Sequence, residues 1–443
     1  MAIDTLQLDM DRQEILSRVR MRSLFTIAVP LLILMYFAYT WFAFDVPSLI
    51  ERAQPSRAVL LATDAVAYKV HVTKDIRRGG IEVAVEGERN GTYEEGQYPD
   101  WVDISGDDGF VDLGEGYSVE IIGQTMRFSV PGYGVIETTA TKKGVSTVLP
   151  AGDVPDWLKD DPRKLDARPT LARRVQVTKT KIEVHNYFGG WENFWFTFRS
   201  PLQDMSTGEL WTLATSSERL DPDQSNVAFI FHEFLSNPDW QHGEVFKALF
   251  ETIMMAVLGT LIAAFVGLPL AFLAAKNFTP SLFLRFGVRR VFDFLRGIDM
   301  LIWSLIFIRA FGLGPLTGSL AIAFTDTGTL GKLFSEALEN IDQKQVEGVR
   351  STGANQLQRY RYAVIPQILP VFVSQVLYYL ESNTRSATVI GALGAGGIGL
   401  MLVETMRTSR DWENTSYIIS LTIVVVILMD QASSWLRRKL IEG

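Results

Sequence analysis

Long apolar runs alternate with polar segments along the chain and indicate where it crosses a membrane. The first run, residues 23–44, has no charged residue and is long enough to cross a bilayer core of about 30 Å. It exceeds the apolar part of a typical signal peptide and no small-residue cleavage site follows it, so we expect a retained helix. Five further apolar stretches are expected to be spans: 250–275, 301–312, 316–334, 363–393 and 417–435.

Basic residues lie on one side of these six spans. By the positive-inside rule, this asymmetry places both termini, including segment 1–22, in the cytoplasm. The residues that support this orientation are Arg12, Arg18, Arg20 and Arg22 before the first span, Lys276, Arg285, Arg289, Arg290 and Arg296 in one loop, Arg359 and Arg361 in another, and Arg437, Arg438 and Lys439 at the end. Residues 45–243 then lie in the periplasm of a bacterial inner membrane protein, and residues 244–443 hold the other five helices.

The polar segment 45–243 has the pattern of a β domain. Short runs with alternating polarity and β-branched residues are separated by Gly, Asp and Asn turns. The runs expected to be strands are 68–72, 80–87, 117–123, 126–130, 135–141, 175–184 and 195–198, with a polar bridge at 153–169 and a helix at 226–235. The sequence therefore predicts an α-helical membrane protein of about six transmembrane helices, with a small β-sandwich or barrel between the first and second.

Charge and composition exclude several functions. Segment 45–243 has 31 acidic and 20 basic residues, a net charge of −11, whereas nucleic-acid binding needs a basic surface. The chain has no cysteine, and its four histidines all fall in that segment, so we expect no metal site in the membrane. The aspartates around 103–112 lack the spacing of a calcium loop and fit a solvated acidic loop. No hydrolase motif is present, and Gly328–Leu333 lacks the spacing and the Ser/Thr of a phosphate loop, so we expect neither catalytic residues nor a bound cofactor.

The polar segment between the fourth and fifth spans carries the most specific pattern. Residues 347–353 read Glu-Gly-Val-Arg-Ser-Thr-Gly, and residues 363–366 read Ala-Val-Ile-Pro. A short helix that ends at Gly353 and a second helix that begins before Pro366 would form a compact cytoplasmic knob. Such a knob can carry force from a soluble partner into the membrane helices.

This spacing resembles the EAA loop of ABC importer permeases, where Glu-Ala-Ala, three residues, Gly and a Leu-Pro pair thirteen residues later form the coupling helix. Glu347, Gly353 and Pro366 occupy the matching positions, and Gly348 and Ala354 belong to the same loop, at about 335–366. The departures lie in packing residues: Gly348 and Val349 for the two alanines, Ala363 for isoleucine and Ile365 for leucine.

Four further segments are similar to the phosphonate-type permease family: 260–277, 331–342, 381–391 and 394–399. The resemblance covers about residues 245–440 and leaves the β domain out. It implies a type I importer fold in which two permease copies, or two unlike permease subunits, form the pathway in the lipid bilayer. A homodimer is the simpler expectation. It also implies a cytoplasmic ABC ATPase dimer, which binds ATP and Mg, and a periplasmic binding protein that delivers a phosphonate-like oxyanion.

Ionisable residues inside a span are costly and usually face a cavity or a partner. Glu381 and Arg385 are four residues apart in the fifth span and can pair on one helical face. Asn383, Ser386 and Thr388 surround them with hydrogen-bonding groups. Two interpretations stay open: this polar face lines the translocation path of an anion, or it joins two helices.

The glycine-rich run 394–399 also has two interpretations. Its glycines permit close helix packing, and they also permit a bend at a gate. The candidate residues are Gly394, Gly396, Gly397 and Gly399.

Two rival functions compete with the importer permease. A membrane-anchored sensor would explain the large β domain better, although the chain has no kinase or cyclase segment. A secondary carrier would be expected to show an inverted repeat, and none is found. The pattern leaves open which phosphorus oxyanion is carried.

Overall fold

The computed structural model describes residues 26–53, 55–86, 91–408 and 412–441. The predicted cytoplasmic segment 1–22 and the first three residues of the predicted span 23–44 lie outside these ranges. The chain divides into two compact units, Met1–Ala62 and Thr63–Gly443.

The first unit consists of helices in its described part. Helix α1 spans Thr26–Ala43, and its 18 uncharged residues give a length of about 27 Å, close to the thickness of a bilayer core. Helix α2 follows at Val46–Arg52, with a proline in its first turn, where the missing N–H costs no helical hydrogen bond. Helix α3, Pro55–Asp64, continues into the second unit.

The described part of the second unit contains twelve antiparallel strands, which precede its other helices. In chain order they are β1 Ala67–Asp75, β2 Ile81–Val85, β3 Val102–Ser105, β4 Asp108–Gly114, β5 Tyr117–Ile122, β6 Thr125–Val130, β7 Gly134–Thr141, β8 Gly144–Val148, β9 Leu158–Asp161, β10 Lys164–Ala167, β11 Arg173–Thr178 and β12 Lys181–Gly189. Sheet A has the order β2-β1-β12-β11-β10-β9, and sheet B is the meander β3-β4-β5-β6-β7-β8. Sheet B is therefore an insertion between the two halves of sheet A.

The two sheets share one hydrophobic core. Alternate positions point inward, as Val119 and Ile121 do in β5, and Phe128 pairs with Ile136 across β6 and β7. All four side chains are fully buried, and burial of each contributes about 1.5–3 kcal/mol. This shared core makes the domain a β-sandwich.

Five of the seven predicted strands are confirmed, and three expectations are wrong. The predicted strand 175–184 consists of parts of two strands, β11 and β12, with a bend at 179–180. Residues 195–198 form turns and bends rather than a strand, because Trp195 packs on Phe194 and Phe234 and Phe198 packs on Tyr93. The polar bridge 153–169 contains strands β9 and β10, which pair with each other and close the edge of sheet A. Among described residues the strands occupy 67–189 only, and the rest of segment 45–243 is helical or irregular.

Helices form the remainder of the chain. They are α4 Thr207–Thr215, α5 Asn226–Leu235, α6 His242–Ala274, α7 Leu282–Gly297, α8 Met300–Phe311, α9 Pro315–Glu339, α10 Gln343–Ser351, α11 Gln356–Arg359, α12 Ile365–Ile390, α13 Gly397–Thr408 and α14 Trp412–Ile441. The predicted helix at 226–235 is confirmed as α5. Four segments of the described chain are long and apolar enough to cross a membrane: α1, α6, Gln356–Ala395, which includes α12, and α14.

The predicted span 301–312 corresponds to α8, which has only 12 residues and a length of about 18 Å. It is too short to cross a bilayer core alone. Helix α9, by contrast, has 25 residues and a length of about 37 Å, but it carries Asp326, Lys332 and two glutamates. The count of six spans therefore stays a prediction.

Helices α6 and α9 pack closely because small residues face each other. A Cβ on Gly259 would lie 2.7 Å from Cβ of Ile322, and one on Gly267 would lie 3.3 Å from the backbone nitrogen of Gly331. Such contacts let two backbones approach, as is common between membrane helices. This pair forms the centre of the helical region.

Candidate functional site

The predicted cytoplasmic knob consists of α10, a glycine turn and α11. Asp342 caps α10, since its carboxylate accepts a hydrogen bond from the Lys344 N–H at 2.9 Å. Asn355 and Gln358 form a capping box at the start of α11. Glu347 lies on the exposed side of α10, and Ala354 is half-buried in the turn.

The two glycines of the knob have different environments. Gly353 adopts φ +83°, a conformation that residues with a Cβ rarely adopt, and it ends α10. Gly348 lies within α10 and has no atom within 4 Å of the position that a Cβ would occupy. Gly353 is therefore required by the backbone, whereas Gly348 leaves an open surface.

The knob is joined to the helical bundle by packing and by hydrogen bonds. Val346 and Ile341 pack against the buried cluster that includes Phe334 of α9 and Ile368 of α12. The backbone N–H of Asp342 donates to Oε1 of Gln367 at 2.8 Å. The knob is thus in direct contact with α9 and α12.

Pro366 lies in the first turn of α12, directly after a π-helical turn at Tyr360–Val364. The N–H of Ile365 donates to the carbonyl of Tyr360, five residues earlier. A wider turn is expected here because proline has no N–H and its ring crowds the preceding turn. The helix entering the membrane therefore begins at an irregular turn next to the knob.

A second connection between helices lies at the end of α9 that precedes the knob. The Glu339 carboxylate accepts hydrogen bonds from the Lys276 N–H at 2.7 Å and from Arg289 Nη2 at 2.5 Å. These bonds hold the end of α9 to the segment between α6 and α7 and to α7 itself.

The predicted polar face of α12 is divided between two environments. Glu381 Oε1 lies 3.5 Å from Nη1 of Arg385, and the Arg385 side chain is 54% exposed. The hydroxyls of Ser386 and Thr388 donate to carbonyls four residues earlier in their own helix. Glu381 and Arg385 therefore present charge at the surface of the chain, while the two hydroxyl protons are already engaged.

Asn383 lies inside the bundle, away from the Glu381–Arg385 pair. Its Nδ2 donates to Oδ2 of Asp326 at 2.5 Å and to Oγ1 of Thr260 at 2.9 Å. Asn383 is 1% exposed and Asp326 is 2% exposed. These three residues join α12, α9 and α6 through a buried polar contact.

Asp326 was not predicted as a site residue, although its position in the sequence is a signal. It is an acidic residue in the middle of the predicted span 316–334, where a charge is costly unless it is paired. Its partner Asn383 is 57 residues away in the chain, so the pairing itself needed the structure.

The glycines of run 394–399 form a chain reversal between α12 and α13. Gly394, Gly396 and Gly397 all have positive φ values. A Cβ on Gly399 would lie 1.8 Å from the carbonyl oxygen of Thr388, so α13 contacts the backbone of α12 directly at this point. The N–H of Gly397 donates to Oε2 of Glu251 at 3.3 Å, which also fixes the turn to α6.

An aromatic junction connects the end of the sandwich to the helices. It contains Trp191, Phe194, Trp240, His242 and Tyr417. The Phe194 carbonyl can only accept, so Nε2 of His242 donates to it at 2.7 Å, and Nδ1 accepts from the Tyr417 hydroxyl at 2.7 Å. The junction ties the segment after β12 to α6 and α14.

Two histidines face each other on the outer side of sheet A. His71 and His185 are partners in the β1–β12 register, with ring centroids 6.3 Å apart. Burial, aided by the charge of Lys69, lowers the pKa of His185 to about 3, and burial also lowers the pKa of His71. Both rings are therefore neutral near pH 7.

Within the described ranges, no three His, Asp or Glu side chains are grouped so that they could hold a metal ion. The aspartates of the acidic loop instead cap turns. Asp107 accepts a hydrogen bond from the Gly80 N–H at 2.9 Å, and Asp108 accepts one from the Gly123 N–H at 2.8 Å.

The chain is similar to known transport proteins over its helical part. Residues 267–441 match the family described as binding-protein-dependent transport system inner membrane component. The chain is 39% identical to a phosphite transport system permease protein of Stutzerimonas stutzeri, over 43% of this chain and 70% of that protein. It is 48% identical to the predicted cryptic phosphonate transport system permease protein of Escherichia coli, over 28% of this chain and 99% of that protein.

Other similarities are partial. The chain is 38% identical to a phosphate-import permease protein of Mycolicibacterium smegmatis, over 43% of this chain but only 36% of that protein. Among solved structures, an inward-facing methionine ABC transporter matches 44% of this chain and 96% of its own, with 20% identity and a TM-score of 0.40.

Proposed function

Because the chain belongs to the family of phosphonate-type ABC importer permeases, inner membrane components of binding-protein-dependent transport systems, we propose that it forms the translocation pathway for a phosphorus oxyanion. The names of its relatives include phosphate, phosphite and phosphonate, which share a tetrahedral phosphorus and differ in one substituent. The proposal is therefore limited to this class. The observation that carries it is the exposed helix α10, which ends at a glycine of positive φ and is joined to the bundle.

A cytoplasmic ABC ATPase dimer is the proposed partner of α10. ATP and Mg are proposed to bind to this ATPase, in line with the expectation from the sequence that this chain binds no cofactor. Closure of the ATPase dimer would push α10, and the contacts of Val346 and of Asp342 with Gln367 would pass this motion to α9 and α12. Glu347 and Gly353 act in this step, Glu347 as an exposed contact and Gly353 as the fixed turn.

The proposed path lies beside Arg385. Its side chain is 54% exposed in the single chain, so it is available to an anion or to a second permease copy. A dianion needs donors and compensating positive charge, which a guanidinium supplies in a fixed geometry. Glu381 Oε1 lies 3.5 Å from Nη1 of that side chain and compensates part of its charge.

The β-sandwich is proposed to lie in the periplasm, with both termini in the cytoplasm. There it docks the substrate-binding protein or covers the outer mouth of the path. Excision tests this role, because Ala67 and Gly189 are paired across neighbouring strands and are about 5 Å apart. A short Gly/Ser linker can therefore replace residues 68–188. Loss of uptake with retained ATPase binding is expected, and unchanged uptake rate and affinity would refute the role.

The first test of the importer function is purification from the native host in mild detergent, with mass spectrometry of the proteins that stay attached. A P-loop ATPase in about equal amount is expected. Its reproducible absence from intact, folded protein would refute the proposal and favour a sensor.

The second test uses two glycines of the knob as a matched pair. Gly353→Pro or Gly353→Ala should abolish or strongly reduce ATP-coupled uptake, because φ +83° costs residues with a Cβ about 1–2 kcal/mol and distorts the turn. Gly348→Ala is the control, since its methyl group would meet open space. Unchanged ATP-coupled uptake by the Gly353→Pro variant would refute the proposed role of Gly353 in coupling.

A further inference from the structure

A contiguous aromatic face lies between the sandwich and the membrane helices. Trp195 packs on Phe234 with ring centroids 5.7 Å apart, and Phe231 lies 6.5 Å from Phe234. Phe234 in turn lies 6.5 Å from Phe246 of α6, and Phe250 is one turn further along. The face is therefore continuous with the surface of a membrane span.

Much of this face has no protein cover within the described chain. Phe231 is 62% exposed and Trp195 is 63% exposed. Beside them lies a cavity of about 670 Å³, lined mainly by apolar side chains that include Leu210, Met205 and Ile230. Exposed apolar surface of this extent indicates an interaction site.

Hydrogen bonds fix the connection between α4 and α5, and α5 contains Phe231 and Phe234. The Asn226 Nδ2 donates to the carbonyls of Leu213 and Glu218 at 2.9 and 2.7 Å, and its Oδ1 accepts from the Leu220 N–H at 3.0 Å. One buried amide thus holds the α4–α5 connection. The exposed aromatic rings therefore lie on a segment whose conformation is fixed by hydrogen bonds.

Phe246 and Phe250 of the face lie directly before the part of α6 that has no charged residue. Residues 252–274 of α6 contain no charged residue and measure about 35 Å, close to the hydrocarbon thickness of a bilayer. Glu251, Lys247 and Glu244 precede them on the sandwich side. Phe250 and Phe246 therefore lie at the level of the membrane interface, where aromatic side chains are enriched.

We propose that this aromatic face is a lipid-binding surface, embedded in the membrane leaflet on the side of the sandwich, with phospholipid acyl chains filling its cavity. Residues 200–240 contain seven acidic residues and one basic residue, so headgroup attraction by positive charge is not the driving force. The surface suits zwitterionic phospholipids such as phosphatidylethanolamine. Embedding of this surface in the leaflet would hold the segment after β12 at a fixed depth next to α6.

The test uses the absence of native cysteine, which allows a single spin label on the full chain. Phe231→Cys is labelled in nanodiscs of phosphatidylethanolamine and phosphatidylcholine, and the accessibility of the label to oxygen and to a water-soluble nickel complex is measured. Ile122→Cys is the matched control, an exposed apolar position beside Gly123 at the end of the sandwich away from Ala67. Trp195→Cys provides a second position on the face.

Labels at positions 231 and 195 should be several-fold more accessible to oxygen than to nickel, and the label at 122 should show the reverse. Nickel accessibility at 231 and 195 equal to that at 122 would overturn the proposal and indicate a water-exposed surface for another protein. The readout does not involve transport, so it is independent of the proposed import function.

Discussion

Replacement of Asn383 by valine tests the buried contact between α6, α9 and α12. The substitution removes the donor that bonds Asp326 at 2.5 Å and Thr260 at 2.9 Å. Thr260 keeps its bond to the Ala256 carbonyl at 2.7 Å, so the main loss falls on Asp326. A hydrogen bond to a carboxylate contributes about 1.5–3 kcal/mol, and a buried partner left without one adds a desolvation cost. We expect a destabilisation of about 2–4 kcal/mol.

The double variant Asn383→Val/Asp326→Ala separates pairing from packing. It removes both polar groups and nearly conserves the summed side-chain volume, so it should recover at least half of the stability lost by Asn383→Val. Ser386→Ala is the control on the same helix, because Ser386 bonds only within α12 in the described chain, and it should change stability by less than about 0.5 kcal/mol.

The assay is equilibrium unfolding of purified full-length protein in mixed micelles, followed by circular dichroism as the denaturing detergent increases. A change below about 0.5 kcal/mol for Asn383→Val would refute the claim that the contact stabilises the bundle. A double variant as unstable as the sum of its single changes would show that Asn383 and Asp326 act independently.

Three further predictions concern the glycine turn, the aromatic junction and sheet A. Gly399→Ala places a Cβ 1.8 Å from the Thr388 carbonyl oxygen and should destabilise the same unfolding transition by about 1–3 kcal/mol or more, whereas a wild-type midpoint would contradict this packing. Tyr417→Phe leaves the buried Nδ1 of His242 without its donor, and a loss of about 1–3 kcal/mol is expected by the same measurement. The lowered pKa of His185, about 3, means that its folded state favours the neutral ring. The neutral His185 ring therefore stabilises the folded protein fully above about pH 6.5. This stabilisation is lost as the pH falls toward 3, at up to about 1.4 kcal/mol per pH unit. His185→Gln should reduce this dependence of the free energy of unfolding on pH, measured in the same assay.

Local patterns were enough to predict strands β1, β2, β5, β6 and β7 and helix α5. Strand β5 alternates Val119 and Ile121 inward with polar residues outward, which is the period of a half-buried strand. Strands β3, β4, β8, β9 and β10 were missed. Of these, β9 and β10 were missed because Leu158–Asp161 and Lys164–Ala167 are short, charged elements with little β propensity; β9 is the edge strand of sheet A, and β10 lies next to it. Their pairing is fixed by sheet A, which a local pattern does not contain.

The knob was predictable for a different reason. Gly353 and Pro366 each restrict the backbone in a known direction, so their spacing alone indicates a helix end and a helix start. The polar contact of Asn383 was not predictable in this way. Four-residue spacing places Glu381 next to Arg385, but nothing local indicates that Asn383, between them in the sequence, faces Asp326 of another helix.

The two attachments of the helical bundle differ in kind, and this difference bears on how motion could pass through the chain. At the knob, Val346 packs on α9 and α12 and a backbone hydrogen bond from Asp342 reaches Gln367, so the attachment in the described chain is mainly apolar. At the sandwich, the rings of Trp191 and Phe194 pack against His242 and Tyr417, and both ring nitrogens of His242 are bonded. Such a junction resists sliding, because a shift would leave buried polar groups unpaired. If the proposed coupling tilts α6, the segment after β12 is therefore expected to move with it.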